Sequence, residues 1–131
     1  MANITIDRVD GLSARAVMHA QTSALAAATS VAEARAYFAA STSRRLAVIA
    51  DDGRYAGALT PDDLPADADP DRPALELAPP RATVAPDAPA AAARDLALGT
   101  TTRRVPVVDG DGRYLGIVSV NRTEEWFCGT G

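Results

Sequence analysis

Arg103-Arg104-Val105-Pro106-Val107-Val108-Asp109-Gly110-Asp111-Gly112-Arg113-Tyr114-Leu115-Gly116 repeats, 59 residues on, the stretch Arg44-Arg45-Leu46-Ala47-Val48-Ile49-Ala50-Asp51-Asp52-Gly53-Arg54-Tyr55-Ala56-Gly57. Eight of the 14 aligned positions are identical, and most of the others are apolar in both copies. No gap is needed upstream, where Arg35 meets Arg94 and Leu25 meets Val84. None is needed downstream, where Ala58-Leu59-Thr60 meets Ile117-Val118-Ser119. A fixed period of this kind marks a chain built from related structural units. The predicted organisation is an extension over residues 1–14, a first repeat over 15–64, a linker over 65–73 and a second repeat over 74–131.

Both copies have the same pattern of elements. In the first, residues 22–26 are a short strand. Ser30-Val31-Ala32-Glu33 then forms a capping box, in which the Ser30 hydroxyl accepts from the N3 amide and Glu33 returns the bond. The helix continues to about Ala40, with Val31, Ala34, Tyr37 and Phe38 near helical spacing. Leu46–Ile49 is β-rich, Asp51-Asp52-Gly53 is a tight turn and Tyr55–Leu59 is the return strand. In the second copy, Asp87 is the expected helix cap with Pro89 in the first turn. That helix is expected to end at Leu98, with Gly99 as a left-handed residue after it. A hairpin of Val105–Val108 and Tyr114–Val118 closes the copy. Two strands flanking a helix should lie parallel, which gives a mixed α/β (α+β) unit.

Composition limits the possible functions. The chain has 131 residues, 23% charged and 47% apolar, but 29 alanines contribute to the apolar figure and aromatics are only 5%. Such a core is built from Val, Leu and Ile packed closely against small residues. The 13 basic residues are all arginine and the net charge is −4, a balance that repels phosphate backbones and argues against nucleic-acid binding. No apolar run approaches the roughly 18 residues of a membrane span. MANITIDRVDGL lacks the charged start and apolar stretch of a secretory signal, so a cytoplasmic protein is expected. One cysteine, Cys128, excludes an internal disulfide, and one histidine, His19, excludes a His-rich metal centre. The segment Pro61–Pro73 carries five aspartates and four prolines. It is expected to be a stiff, solvated connector and lacks the spacing of an EF-hand loop.

The pattern Arg103–Ser119 resembles the core of a CBS (cystathionine β-synthase) domain. The first copy resembles it too, with Ala47 where the family usually has proline. Segments Ala14–Met18 and Ala74–Ala78 fit the short helix that often precedes each repeat, and the resemblance covers residues 15 to about 127. A tandem pair is similar to a Bateman module. The resemblance implies two β-α-β-β-α repeats packed with pseudo-twofold symmetry, with clefts that in many members take adenine nucleotides or S-adenosylmethionine. It also implies a sensory role and a disc-like homodimer.

The family's ribose and phosphate signature has a glycine, two mostly apolar residues, Thr or Ser, two further residues and Asp. Gly57-Ala58-Leu59-Thr60-Pro61-Asp62-Asp63 matches it in full. In that reading Thr60 caps a short helix facing a phosphate, and Asp63 accepts from both ribose hydroxyls. Gly116-Ile117-Val118-Ser119-Val120-Asn121-Arg122 has arginine where the carboxylate belongs. Guanidinium only donates hydrogen bonds, so the second copy should not hold a ribose in the same way. By the same resemblance, adenine would touch Thr22, Ser23 and the stretch Ser43, Arg44, Arg45 and Leu46. Phosphates would be reached by Arg103 and Arg104, with Arg44 and Arg45 as their counterparts.

No residue pattern points to catalysis or to a metal. Ser23, Ser41, Ser43 and Thr60 have no activating histidine motif, and Asp62-Asp63 opens a helix, where carboxylates oppose the dipole favourably. Trp126 and Phe127 are expected to pack on the first copy's sheet or on a partner subunit. The expected function is a regulatory module that takes AMP, ADP, ATP or S-adenosylmethionine in one cleft and signals to a separate effector protein. The alternative is a vestigial pair that dimerises and binds no nucleotide. Asp63 with Thr60 favours the first; Arg122, Ala47 and the proline-rich segment favour the second.

Overall fold

The computed structural model describes residues 3–20 and 23–130. The chain divides into two compact units: Ser23–Arg81, and Met1–Thr22 together with Ala82–Gly131. These units do not coincide with the repeats along the sequence, because each takes the segment that leads into the other copy.

Helix α1 (Ala14–Val17) belongs to the other unit; in Ser23–Arg81, β1 (Leu25–Ala26) leads into α2 (Val31–Ala39), and β2 (Ala47–Asp51) and β3 (Arg54–Leu59) complete the sheet. β1 runs parallel to β2, with Leu25 opposite Ile49, and β3 runs antiparallel to β2. The expected capping box is present, with the Glu33 N–H donating to Ser30 Oγ at 3.1 Å and the Ser30 N–H to Glu33 Oε1 at 3.0 Å. Val31 and Ala34 turn inward onto Ala47, Ile49, Leu59, Leu64 and Ala74. Tyr37 and Phe38 pack edge to face beside them, ring centroids 5.6 Å apart. Asp52 and Gly53 have φ of 52° and 80°, two left-handed residues in succession, as a two-residue type I′ hairpin requires.

The Asp/Pro-rich stretch is not a free connector. The carbonyl of Arg72 accepts from the Val31 N–H at 2.8 Å and that of Pro70 from the Ala32 N–H at 3.0 Å. Arg35 Nη2 donates to the Pro65 carbonyl at 2.6 Å. The first amides of a helix have no intrahelical acceptor; here the linker backbone supplies two. The short 3-10 turn Ala74–Leu77 then packs on β3.

In the other unit, α1 (Ala14–Val17) packs on α3 (Ala90–Leu98), and β4 (Arg104–Val108) pairs antiparallel with β5 (Tyr114–Ser119). Ala14, Ala90, Ala93 and Ala97 are fully buried, so the alanine content allows close approach of the two helices. The first strand of the copy is reduced to one parallel bridge between Val84 and Val107. His19 forms an antiparallel bridge with Ile117, which holds the leading segment of the first copy on the second copy's strand.

Three expectations for this unit are corrected. Asp87 does not cap α3: Pro89 occupies the cap with no side-chain bond, and the Ala90 N–H donates to the Leu12 carbonyl at 2.9 Å. A backbone acceptor from the packed leading segment thus replaces the carboxylate. Gly99 is right-handed, with φ −75°; Thr100 Oγ1 donates to the Ala97 carbonyl at 2.8 Å, and the first left-handed residue after the helix is Arg103, φ 56°. Phe127 is fully buried in the core of its own unit, beside Val120, and its N–H donates to the Ile4 carbonyl at 2.8 Å. Trp126 remains 37% exposed. Among the described residues no helix is long and apolar enough to cross a membrane.

Candidate functional site

β3 ends at Leu59, and the 3-10 turn Pro61–Asp63 follows with Thr60 as its cap. Pro61 fits the first position of such a turn, where its missing N–H leaves nothing unpaired. The turn brings Asp63 back onto Thr60. Asp63 Oδ2 accepts from the Thr60 N–H at 2.8 Å and from the Thr60 hydroxyl at 3.1 Å. The Thr60 hydroxyl therefore donates inward, toward the carboxylate, rather than facing outward as a phosphate donor.

A third donor reaches the same oxygen. Arg81 Nη2 lies 2.5 Å from Asp63 Oδ2, and Arg81 Nε donates to the Ala58 carbonyl at 3.1 Å. Both side chains are largely covered, at 24% and 18% exposure. Alongside lies an open cleft of about 420 Å³ lined by Tyr55, Ala56, Gly57, Leu75, Ala78, Pro79, Pro80 and Arg81. Burial pushes the Tyr55 phenol above its usual range, and the nearby Arg81 charge acts in the opposite direction.

Ala58, Thr60 and Asp63 are thus brought together, and the sequence reading missed Arg81. The repeat contained a signal: at the offset of 59, Arg81 is the counterpart of Thr22, already singled out. Thr22 itself lies outside the described residues. Ser23 is exposed, and Leu46 is a core residue. Ser43 Oγ bonds Ser41 Oγ at 2.8 Å. Arg44 is committed locally, its guanidinium carbon 4.3 Å from the Tyr37 ring centroid and its Nη1 donating to the Tyr37 carbonyl, while Arg45 is exposed.

In the second copy, Arg104 Nη1 donates to the Thr102 carbonyl at 2.8 Å. Arg103 combines its left-handed backbone with a buried Nε that has no partner among the described residues. The segment after Ser119 forms no counterpart of the Thr60 turn. Asn121 Oδ1 instead accepts from the N–H groups of Glu125 and Trp126, and Arg122 is exposed. Ser119 Oγ is buried without a partner among the described residues. The two ends differ for one chemical reason: the hydroxyl that Asp63 satisfies in the first copy meets no carboxylate in the second. Among the described residues no three His, Cys, Asp or Glu side chains form a cluster suited to a metal ion.

Residues 75–122 match the family model of the CBS domain. The fold is similar to that of the CBS-pair protein CBSX2 from Arabidopsis thaliana, at a TM-score of 0.70 and 22% identity, over 82% of this chain and 87% of that one. CBSX2 in complex with AMP gives 0.71 and 23%, over 87% and 92%. The cytosolic domain of the Mg2+ channel MgtE in complex with ATP gives 0.63 and 28%, over 79% of this chain and 44% of that one. No curated protein matches the sequence.

Proposed function

We propose a function from the premise that this chain is a tandem pair of CBS domains, a regulatory module: it takes an adenosine ligand at the Thr60–Asp63 end of its first repeat and passes the change to a separate effector protein. The observation that carries the reading is the Asp63 carboxylate. Oδ2 is bound by Thr60 and Arg81, and Oδ1 accepts no bond among the described residues. A partly covered carboxylate with one open oxygen suits a sugar hydroxyl, through a charge-assisted hydrogen bond. Two structural neighbours hold AMP and ATP, which supports an adenine nucleotide as the ligand class; AMP, ADP, ATP and S-adenosylmethionine all present the ribose. We read the module as working without catalysis, in the cytoplasm and as a homodimer.

A thermal-shift screen of the four ligands tests this directly, because a ligand that binds only the folded state raises stability with RT ln(1 + [L]/Kd). A shift that disappears in Asp63→Asn supports the reading. No shift with any of them favours the second reading, a dimerisation module that binds no nucleotide. That reading draws on the internal satisfaction of Asp63 by Arg81.

A further inference from the structure

Arg81 pairs with Asp63, and neither the sequence signature nor the family match supplies a role for it. We infer that Arg81 is a positioning residue that sets ribose selectivity, by fixing the Asp63 carboxylate so that Oδ1 alone faces the ligand; the inference rests on the adenosine reading above.

Three donors converge on Oδ2: the Thr60 N–H, the Thr60 hydroxyl and Arg81 Nη2. A carboxylate carries about four lone-pair sites over its two oxygens, so three donors fill Oδ2. Oδ1 accepts none among the described residues. The two Thr60 bonds close within one short turn and would move with it. The Arg81 bond differs, because Arg81 is itself held by Nε on the Ala58 carbonyl. A planar guanidinium that engages two acceptors with fixed geometry ties the carboxylate plane to β3, which a flexible point charge would do less well. Pro79 and Pro80 immediately precede Arg81 and restrict the backbone that delivers it.

A vicinal diol approaching this carboxylate therefore meets one oriented acceptor. A sugar lacking the 2′-hydroxyl loses a donor to that acceptor, and the penalty depends on how firmly the acceptor is aimed. Without Arg81, the carboxylate can rotate and turn either oxygen outward. The ribose then gains less over the deoxyribose.

The test is titration calorimetry of the full chain with AMP and 2′-deoxy-AMP, for the wild type, Arg81→Ala and Arg81→Gln, each checked for folding by circular dichroism. The ratio of the two dissociation constants is the readout, because any pull of Arg81 on the phosphate acts on both ligands and cancels. The wild type should prefer AMP by roughly tenfold, the scale of one hydrogen bond to a charged group. Both variants should lose most of that preference, chiefly by weakening AMP. An equal loss for both ligands would make Arg81 merely structural. Tighter AMP binding in the variants would make it a competitor of the ribose. Either result overturns the inference and leaves the adenosine reading standing. A wild type that binds neither ligand overturns both.

Discussion

The His19 N–H donates to the Ile117 carbonyl at 2.8 Å, and the Ile117 N–H returns the bond to His19 at 3.2 Å. This exchange brings two backbones close at the neighbouring glycine. A Cβ built on Gly116 would stand 2.5 Å from the His19 carbonyl oxygen and 3.1 Å from the Ala20 Cα. At the corresponding Gly57, the nearest atom would be Leu75 Cδ1 at 2.9 Å, the end of a side chain that can turn away.

Gly116→Ala should therefore destabilise the protein by about 1–3 kcal/mol, the usual cost of forcing atoms into a packed interior. Gly57→Ala should cost clearly less. Urea denaturation of the two variants beside the wild type measures the difference, and equal costs would contradict the backbone-contact argument.

Asp63→Ala should weaken an adenosine ligand by ten- to a hundredfold, since a charge-assisted hydrogen bond is worth about 1.5–3 kcal/mol and 1.4 kcal/mol is a factor of ten. Arg122→Ala should leave the same ligand nearly unchanged, because Arg122 is exposed and offers only donors. Calorimetry should also give one such site per chain.

Ser30→Ala should cost about 1 kcal/mol by removing the acceptor for the Glu33 N–H. The reciprocal half of the box is pH-dependent. Bonding to the Ser30 N–H holds the Glu33 carboxyl below its ordinary value of 4.5, followed by a smaller contribution from the Ser30 side chain. A carboxyl lowered in the folded state stabilises above the unfolded value, and that stabilisation is lost as pH falls through the folded one. The stability gap between wild type and Glu33→Gln should thus be present at neutral pH and close in acid. Urea melts across that range measure it.

Light scattering should give a mass near twice 13.5 kDa, since a chain this small buries a limited share of its apolar surface by itself. A monomer across a wide concentration range would remove dimerisation from the proposed function.

The repeat and its elements were legible because identical residues recur at a constant offset and the turn signals are strong: Asp52-Gly53 forms the predicted hairpin, and Ser30 with Glu33 forms the predicted box. What was not legible depended on distant partners. Asp87 looks like a cap until the Leu12 carbonyl takes the Ala90 N–H. The linker is solvated as expected, its side chains mostly exposed, but nothing in its composition says that its carbonyls receive the amides of α2. The second hairpin also differs from the first despite the repeat, because Asp109 replaces Ala50 and its Oδ1 accepts from the N–H groups of Asp111 and Arg113, both at 2.9 Å. A side chain competing for local amides shortens the ladder there. At the candidate site, Thr60 and Asp63 could be read from their spacing. Arg81 could be reached only through the repeat, as the counterpart of Thr22, since nothing local in the sequence says that residue 81 folds back onto residue 63.

The exchange of leading segments bears on how a duplicated chain of this kind could arise. A single copy that folded this way would leave its own β-strand edge open and its leading segment without a seat. It would be complete only by lending that segment to a second copy and borrowing one in return. Joining two such copies end to end converts a swapped dimer, whose assembly depends on concentration, into an intramolecular one whose partner is always present. Once the copies are tied, the two ends no longer need to remain alike, and one can keep Asp63 with Arg81 while the other carries Arg122 where the carboxylate stood.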